Sequence, residues 1–248
     1  MRVPSLKPGT HTFKLTVDTK TPFGILTGER SVIIEDPSIA KLQNEYASAR
    51  AQGNTARAAA ISRQLIARRF SHSIKPGRPI PIDKPITSDE EPSGKVKGAA
   101  TWYPGKDQLR VLIDVTDPRY VALRGKGGKQ YLASVLLFVC PTGADADICE
   151  IYTAHGDNGT ALWGVMGRRS YPKMDQVKAV WKNTAKGYRA ELSIPWSVIK
   201  DLPANWTALP VEVMIVGDES DRNLDMLRMS PSGNPNTSAR GYCLLTRK

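Results

Sequence analysis

The run Gly187-Tyr188-Arg189-Ala190-Glu191-Leu192-Ser193-Ile194-Pro195-Trp196 constrains this chain more than any other. Tyr188, Ala190, Leu192 and Ile194 alternate with Arg189, Glu191 and Ser193. Strand side chains point to opposite faces at period two, so the run reads as a strand with one buried face. Pro195 lacks an N–H for the ladder and ends it. Such a strand needs neighbours at its edges and a second layer over its apolar face. From Ala99 onward, similar short runs recur near 99–103, 108–116, 131–139, 147–154, 160–166, 176–182, 187–194, 210–217 and 239–246. Gly, Pro, Asn and Asp punctuate them. The pattern predicts a mainly β chain, an antiparallel sandwich of jelly-roll or immunoglobulin-like type, and not βαβ units.

The N-terminal third reads differently. Asp36-Pro37 is a helix start, with aspartate as cap and proline at the first helical position. Ile39, Leu42, Tyr46 and Ala49 keep helical spacing, and Ala59, Ile61, Leu65, Ile66 and Phe70 continue the stripe after Gly53-Asn54-Thr55. This predicts a helical hairpin over about 38–52 and 55–70, with Asn54 or Thr55 as the second cap. Before it, His11 to Val17 alternates and Ser31 to Ile34 is a short apolar run, like the last strands of an immunoglobulin-like domain. Two or three strands do not stand alone; they either pack on this chain or belong with strands upstream. The expected organisation is a β segment over 1–35, a basic hairpin over 36–71 and a sandwich over 72–248.

The formal net charge is +11. Between Pro37 and Pro79, Lys41, Arg50, Arg57, Arg63, Arg68, Arg69, Lys75 and Arg78 face a single acid, Glu45. That excess allows an anionic polymer as a partner of the hairpin. Arginines without interleaved aromatics do not point to nucleic acid. No run of about 18 apolar residues is present, so no membrane-spanning helix is expected. Met1 to Ser5 carries no apolar segment of a signal peptide.

Little in the chain suggests catalysis. His11, His72 and His155 lie far apart and form no zinc pair. Arg124-Gly125-Lys126-Gly127-Gly128-Lys129 lacks phosphate-loop spacing and reads as a basic hairpin loop. No Gly-x-Ser-x-Gly elbow occurs, and no carboxylate pair is nominated for glycoside hydrolysis. Two acidic clusters offer oxygens for a structural calcium: Asp145 and Asp147 with Glu150, and Asp218 and Asp221 with Glu219 and Asp225. Cys140 and Cys149 either bridge a strand pair, leaving Cys243 free, or all three are buried thiols.

The Gly187-Tyr188-x-x-Glu191-x-x-Ile194-Pro195-Trp196 strand resembles a late strand of the family 9 carbohydrate-binding modules and their DOMON-like relatives. Trp102 to Pro118 resembles an early strand of that family, and Tyr131 to Val139 stands where it has a central strand. The resemblance spans roughly 72–248. It implies a β-sandwich, a non-catalytic carbohydrate-binding role in polysaccharide recognition or degradation, and an extracellular or cell-surface location. Aromatic rings stack on the C–H face of a sugar, so Trp102, Tyr131, Trp163, Trp181, Trp196 and Trp206 are the supply. Trp102 and Trp196 read as core support. Ligand contacts are expected in loops near Tyr131, Trp163 and Arg228. The chain departs from the family where a sugar would be gripped. Gly128-Lys129-Gln130-Tyr131 has at best a tyrosine, and Met229 to Asn234 has no aromatic. Ala133-Ser134-Val135-Leu136 replaces Asp-Ser-Val-Glu. A sandwich that kept its scaffold and lost its sugar, serving as a structural or protein-interaction module, is therefore the alternative.

Overall fold

The computed structural model describes residues 7–18, 25–85, 96–126, 133–156, 159–166, 169–170, 174–217, 226–229 and 238–247. Tyr131, Asp218 and Asp221 lie outside the described residues. In chain order the elements are β1 (Gly9–Asp18), β2 (Ile25–Ile34), α1 (Ser38–Ala51), α2 (Thr55–Arg69), β3 (Ser73–Ile74), β4 (Ile80–Ile82) and β5 (Lys84–Pro85). Then come β6 (Lys97–Pro104), β7 (Gln108–Thr116), α3 (Pro118–Leu123), β8 (Ala133–Val139), β9 (Cys149–Gly156), β10 (Gly159–Met166) and β11 (Arg169–Ser170). The chain closes with β12 (Lys178–Asn183), β13 (Gly187–Pro195), β14 (Ala208–Val216), β15 (Met226–Arg228) and β16 (Cys243–Thr246).

Two sheets face each other. One runs β12-β13-β7-β6-β4. The other runs β11-β10-β9-β8-β14-β15-β5, with β16 paired to β14 and β3. All pairings are antiparallel except β16 with β3. β1 and β2 pair with each other as a two-stranded sheet. The fold is thus the antiparallel sandwich that the alternation predicts, with the helical pair near its N-terminus.

The alternating run is β13, held between β12 and β7. Tyr188, Ala190, Leu192 and Ile194 are buried, and they meet Val135, Leu137, Val211, Val213 and Ile215 of the facing sheet in one core. At its first residue the strand runs against its neighbour: a Cβ on Gly187 would lie 2.2 Å from the Val115 carbonyl oxygen. Only glycine lets β13 begin there. Trp102 is buried, as expected. Trp196 packs against Trp206 at the margin and donates its Nε1–H to the Gly105 carbonyl at 3.1 Å.

The central strands of the second sheet, β8 and β14, are buried on both sides, because the helical hairpin and the C-terminal segment cover their outer face. Phe70 and Ile66 of the α2 end, with Ala239 and Tyr242, pack on Leu136, Phe138 and Met214. Asn54 caps α2 by accepting from the Arg57 N–H, and Asp36 accepts from the Ser38 N–H at the start of α1. Ile39, Leu42, Tyr46 and Ala49 are buried, as their spacing predicts. In α2 the inward position is Ala58, with Ala59 exposed. One hundred degrees per residue places Ala58, not Ala59, in line with Ile61 and Leu65.

The three cysteines are free and buried. Cys149 points into the core between the sheets, while Cys140 belongs to the cluster on the outer face. A bridge between them is excluded by this placement on opposite sides of one sheet. Burial raises the Cys140 thiol well above its usual range and pushes Cys243 up to about 12.

Candidate functional site

The expected site residues part company. Arg228 is fully buried and ion-paired, Nη2 to Glu212 Oε2 at 3.0 Å, with both side chains 0% exposed. It lies on the outer face of the larger sheet, opposite Met214, so it does not reach a ligand-facing loop. Glu212 Oε1 also accepts from the Val213 and Met229 backbone N–H groups. Trp163 lies on β10, its backbone paired with Tyr152 of β9.

Asp145 and Asp147 are engaged by protein donors. Asp145 Oδ1 accepts from the Ala239 N–H at 2.7 Å and faces Arg69 Nη1 at 2.8 Å, and Oδ2 accepts from Gln43. Asp147 Oδ2 accepts from the Tyr46 hydroxyl at 2.6 Å and the Thr142 hydroxyl at 2.7 Å. These carboxylates tie the hairpin to the sandwich. Among the described residues no group of three His, Cys, Asp or Glu is placed to hold a metal. Two of the hairpin's arginines are spent in the same way. Arg50 pairs with Asp201 at 3.1 Å, and Arg69, its side chain 1% exposed, pairs with Glu35 at 2.6 Å.

At one end of the sandwich, among the described residues, the ends of β9 and β12, the first residue of β10 and the segment after α3 surround a cleft of about 500 Å³. Tyr120, Arg124, Gly125, His155, Gly156, Gly159 and Asn183 line it. α3 is a helix that the basic-loop reading omits. Asp117 caps it, accepting from the Arg119 and Tyr120 N–H groups, and Pro118 takes the first turn. Arg124, read as the start of the basic hairpin loop, donates Nη1–H to the Thr184 carbonyl at 2.8 Å.

A chain of rings stands behind the cleft and crosses the two layers. His155 of β9 stacks on Trp181 of β12, centroids 5.3 Å apart and planes 13° apart. Trp181 leans on Tyr188 at 4.9 Å, and Tyr188 on Tyr120 at 5.0 Å. Thr153 and His155 are two residues apart on β9 and share its inner face; Thr153 accepts the Trp181 Nε1–H at 3.1 Å. His155 Nδ1 is bonded to the Thr160 hydroxyl at 2.8 Å. Asn183 Oδ1 accepts from the Tyr120 hydroxyl at 2.5 Å, which leaves its amide N–H₂ as a donor at the cleft. Burial, with the nearby Asp117 charge, keeps the Tyr188 phenol protonated far into the alkaline range. The cleft therefore combines fixed ring faces, a planar amide and a guanidinium.

No family model matches this chain, and no curated protein matches it. Solved structures similar to it include a family 9 carbohydrate-binding module from Caldicellulosiruptor kristjanssonii in complex with cellotriose. That structure has 17% identity and a TM-score of 0.48, covering 71% of this chain and 92% of that one. Another is a family 9 module from the same organism in complex with glucose, at 16% identity and a TM-score of 0.45, covering 72% and 93%.

Proposed function

We propose that this protein is a non-catalytic carbohydrate-binding module that takes a neutral sugar unit in the cleft beside Tyr120, His155 and Asn183. The observation that carries this reading is the joint placement of His155 and Trp181, stacked, beside Tyr120, Asn183 and Arg124. A pyranose offers a C–H face to an aromatic plane and hydroxyls at its rim. Rings fixed by packing lose little entropy on binding, which favours a preformed platform. The Asn183 amide and the Arg124 guanidinium donate to hydroxyl oxygens. Tyr131, two residues before β8, is proposed as a further contact. The proposed setting is a polysaccharide-degrading or cell-surface system outside the cell.

Isothermal titration calorimetry of the full chain against a panel of neutral glycans tests the reading. Glucose and cellotriose, the ligands named for the two similar structures, head the panel. Binding heat is expected with at least one glycan. Asn183→Ala and Trp181→Ala, checked for folding by near-ultraviolet circular dichroism, are each expected to weaken it by about tenfold or more. A folded protein that gives no heat with any neutral glycan overturns the proposal.

A further inference from the structure

A second surface lies away from the cleft and is built differently. Strand register sets the outward residues of the five-stranded sheet in rows. Tyr103, Arg110, Ser193 and Lys178 form one row. Thr101, Leu112, Glu191 and Val180 form the next, and Ala99, Asp114, Arg189 and Lys182 the third. Each row crosses four strands, roughly 14 Å at the usual strand spacing. A groove of about 400 Å³ runs over them, lined by Tyr103, Arg110, Val180, Lys182, Arg189 and Glu191 among others.

Tyr103 is 41% exposed and Val180 51% exposed; they are the exposed large apolar side chains among the described residues, and both line this groove. Arg110 donates Nε–H and Nη2–H to Glu191 Oε1 at 3.0 and 2.6 Å, and its guanidinium sits over the Tyr103 ring at 6.0 Å. Arg189 Nε–H donates to Asp114 Oδ1 at 2.6 Å. Lys97, Lys178 and Lys182, exposed on the same face, form no ion pair among the described residues. Cations outnumber carboxylates on this face, and the surplus is ammonium.

We propose that this face is a second glycan site, taking a carboxylate-bearing polysaccharide chain laid across the strands. The proposal stands on the groove and does not depend on the cleft. Each side chain has a partner in a uronic-acid residue. The C–H face of the sugar covers Tyr103. Its carboxylate meets Lys182, Lys178 and the unused Arg189 N–H groups. Its hydroxyls donate to Glu191 and Asp114, which Arg110 and Arg189 hold in place. Single-stranded nucleic acid fits less well. It binds through successive stacking rings, whereas Tyr103 is the one aromatic ring in the groove, and a phosphodiester chain offers few hydroxyl donors to the two carboxylates.

Calorimetry of the full chain with a galacturonate oligomer, a neutral glucan oligomer of equal length and a single-stranded oligonucleotide tests it. The galacturonate oligomer is expected to bind with affinity that falls as salt rises. Lys178→Glu with Lys182→Glu, and separately Tyr103→Ala, weaken that binding about tenfold or more while leaving neutral-glycan binding in the cleft intact. Arg124→Ala, in the cleft, leaves galacturonate binding as it was. A folded protein that ignores the galacturonate oligomer overturns the proposal. So does binding that is lost in Arg124→Ala but kept in the lysine variant, or an oligonucleotide that binds as tightly as the galacturonate.

Discussion

The two outer faces of the sandwich solve the same problem in opposite ways. The larger sheet hides the outer face of its central strands, β8 and β14, beneath α2 and residues 239–242, and the polar groups caught there are paired with one another. The smaller sheet leaves its outer face to solvent and lays ion pairs along it, with Arg110 51% and Arg189 47% exposed. Charge thus serves different ends on the two sides. Under the helices a pair is expensive to break, because the abandoned partner is left without water. On the open face each pair is cheap to break, and its donors stay available to a ligand.

Cutting single pairs on either side tests this contrast by chemical denaturation. Arg228→Met strands Glu212 where neither side chain is exposed, and it is expected to cost about 3–5 kcal/mol. Arg69→Met costs less, about 2–3 kcal/mol, because Glu35 and Asp145 keep some access to water. Burial alone depresses the Arg69 pKa, and the hydrogen bond and charge of Asp145, with Glu35, carry it above the usual value. The guanidinium therefore stays charged at every working pH. Arg189→Met, on the open face, shifts stability by under about 1 kcal/mol. Equal losses for Arg228→Met and Arg189→Met would erase the distinction.

Tyr46→Phe sharpens it. Removing the hydroxyl takes one donor from Asp147 and leaves Thr142, for about 1–2 kcal/mol. It also carries a pH signature. Burial, and then the hydrogen bond to Asp147, push the Tyr46 phenol from 10.0 up to about 12. Below pH 10.0 the phenol is protonated in folded and unfolded chains alike, and its contribution is complete. Between 10.0 and about 12 the unfolded chain alone releases the proton, so stability falls as pH rises. Tyr46→Phe flattens that part of the alkaline curve; an unchanged slope would place the titrating group elsewhere.

The same contrast explains what the sequence could say. β13 is legible because one of its faces is wet, so its alternation survives in Arg189, Glu191 and Ser193. β14 is covered on both faces, and period two alone assigns Glu212 to solvent. That Arg228 is its buried partner becomes visible only once the folded chain sets them face to face. α1 and α2 announce themselves through caps and stripe. α3 carries the same Asp-Pro signal at Asp117-Pro118, and the glycine-rich run after it obscures a helix of six residues. The cleft is the least legible part. His155 and Trp181 come from different sheets, and no local spacing joins them.

A titration followed by amide resonances, using the tightest neutral glycan of the calorimetric panel, bears most directly on the proposed sugar site. A module that binds in the cleft shows its largest shifts at Tyr120 to Gly125, His155, Gly156 and Asn183, with α1 and α2 unmoved. Shifts gathered on the helical hairpin, or none with any glycan, would contradict it.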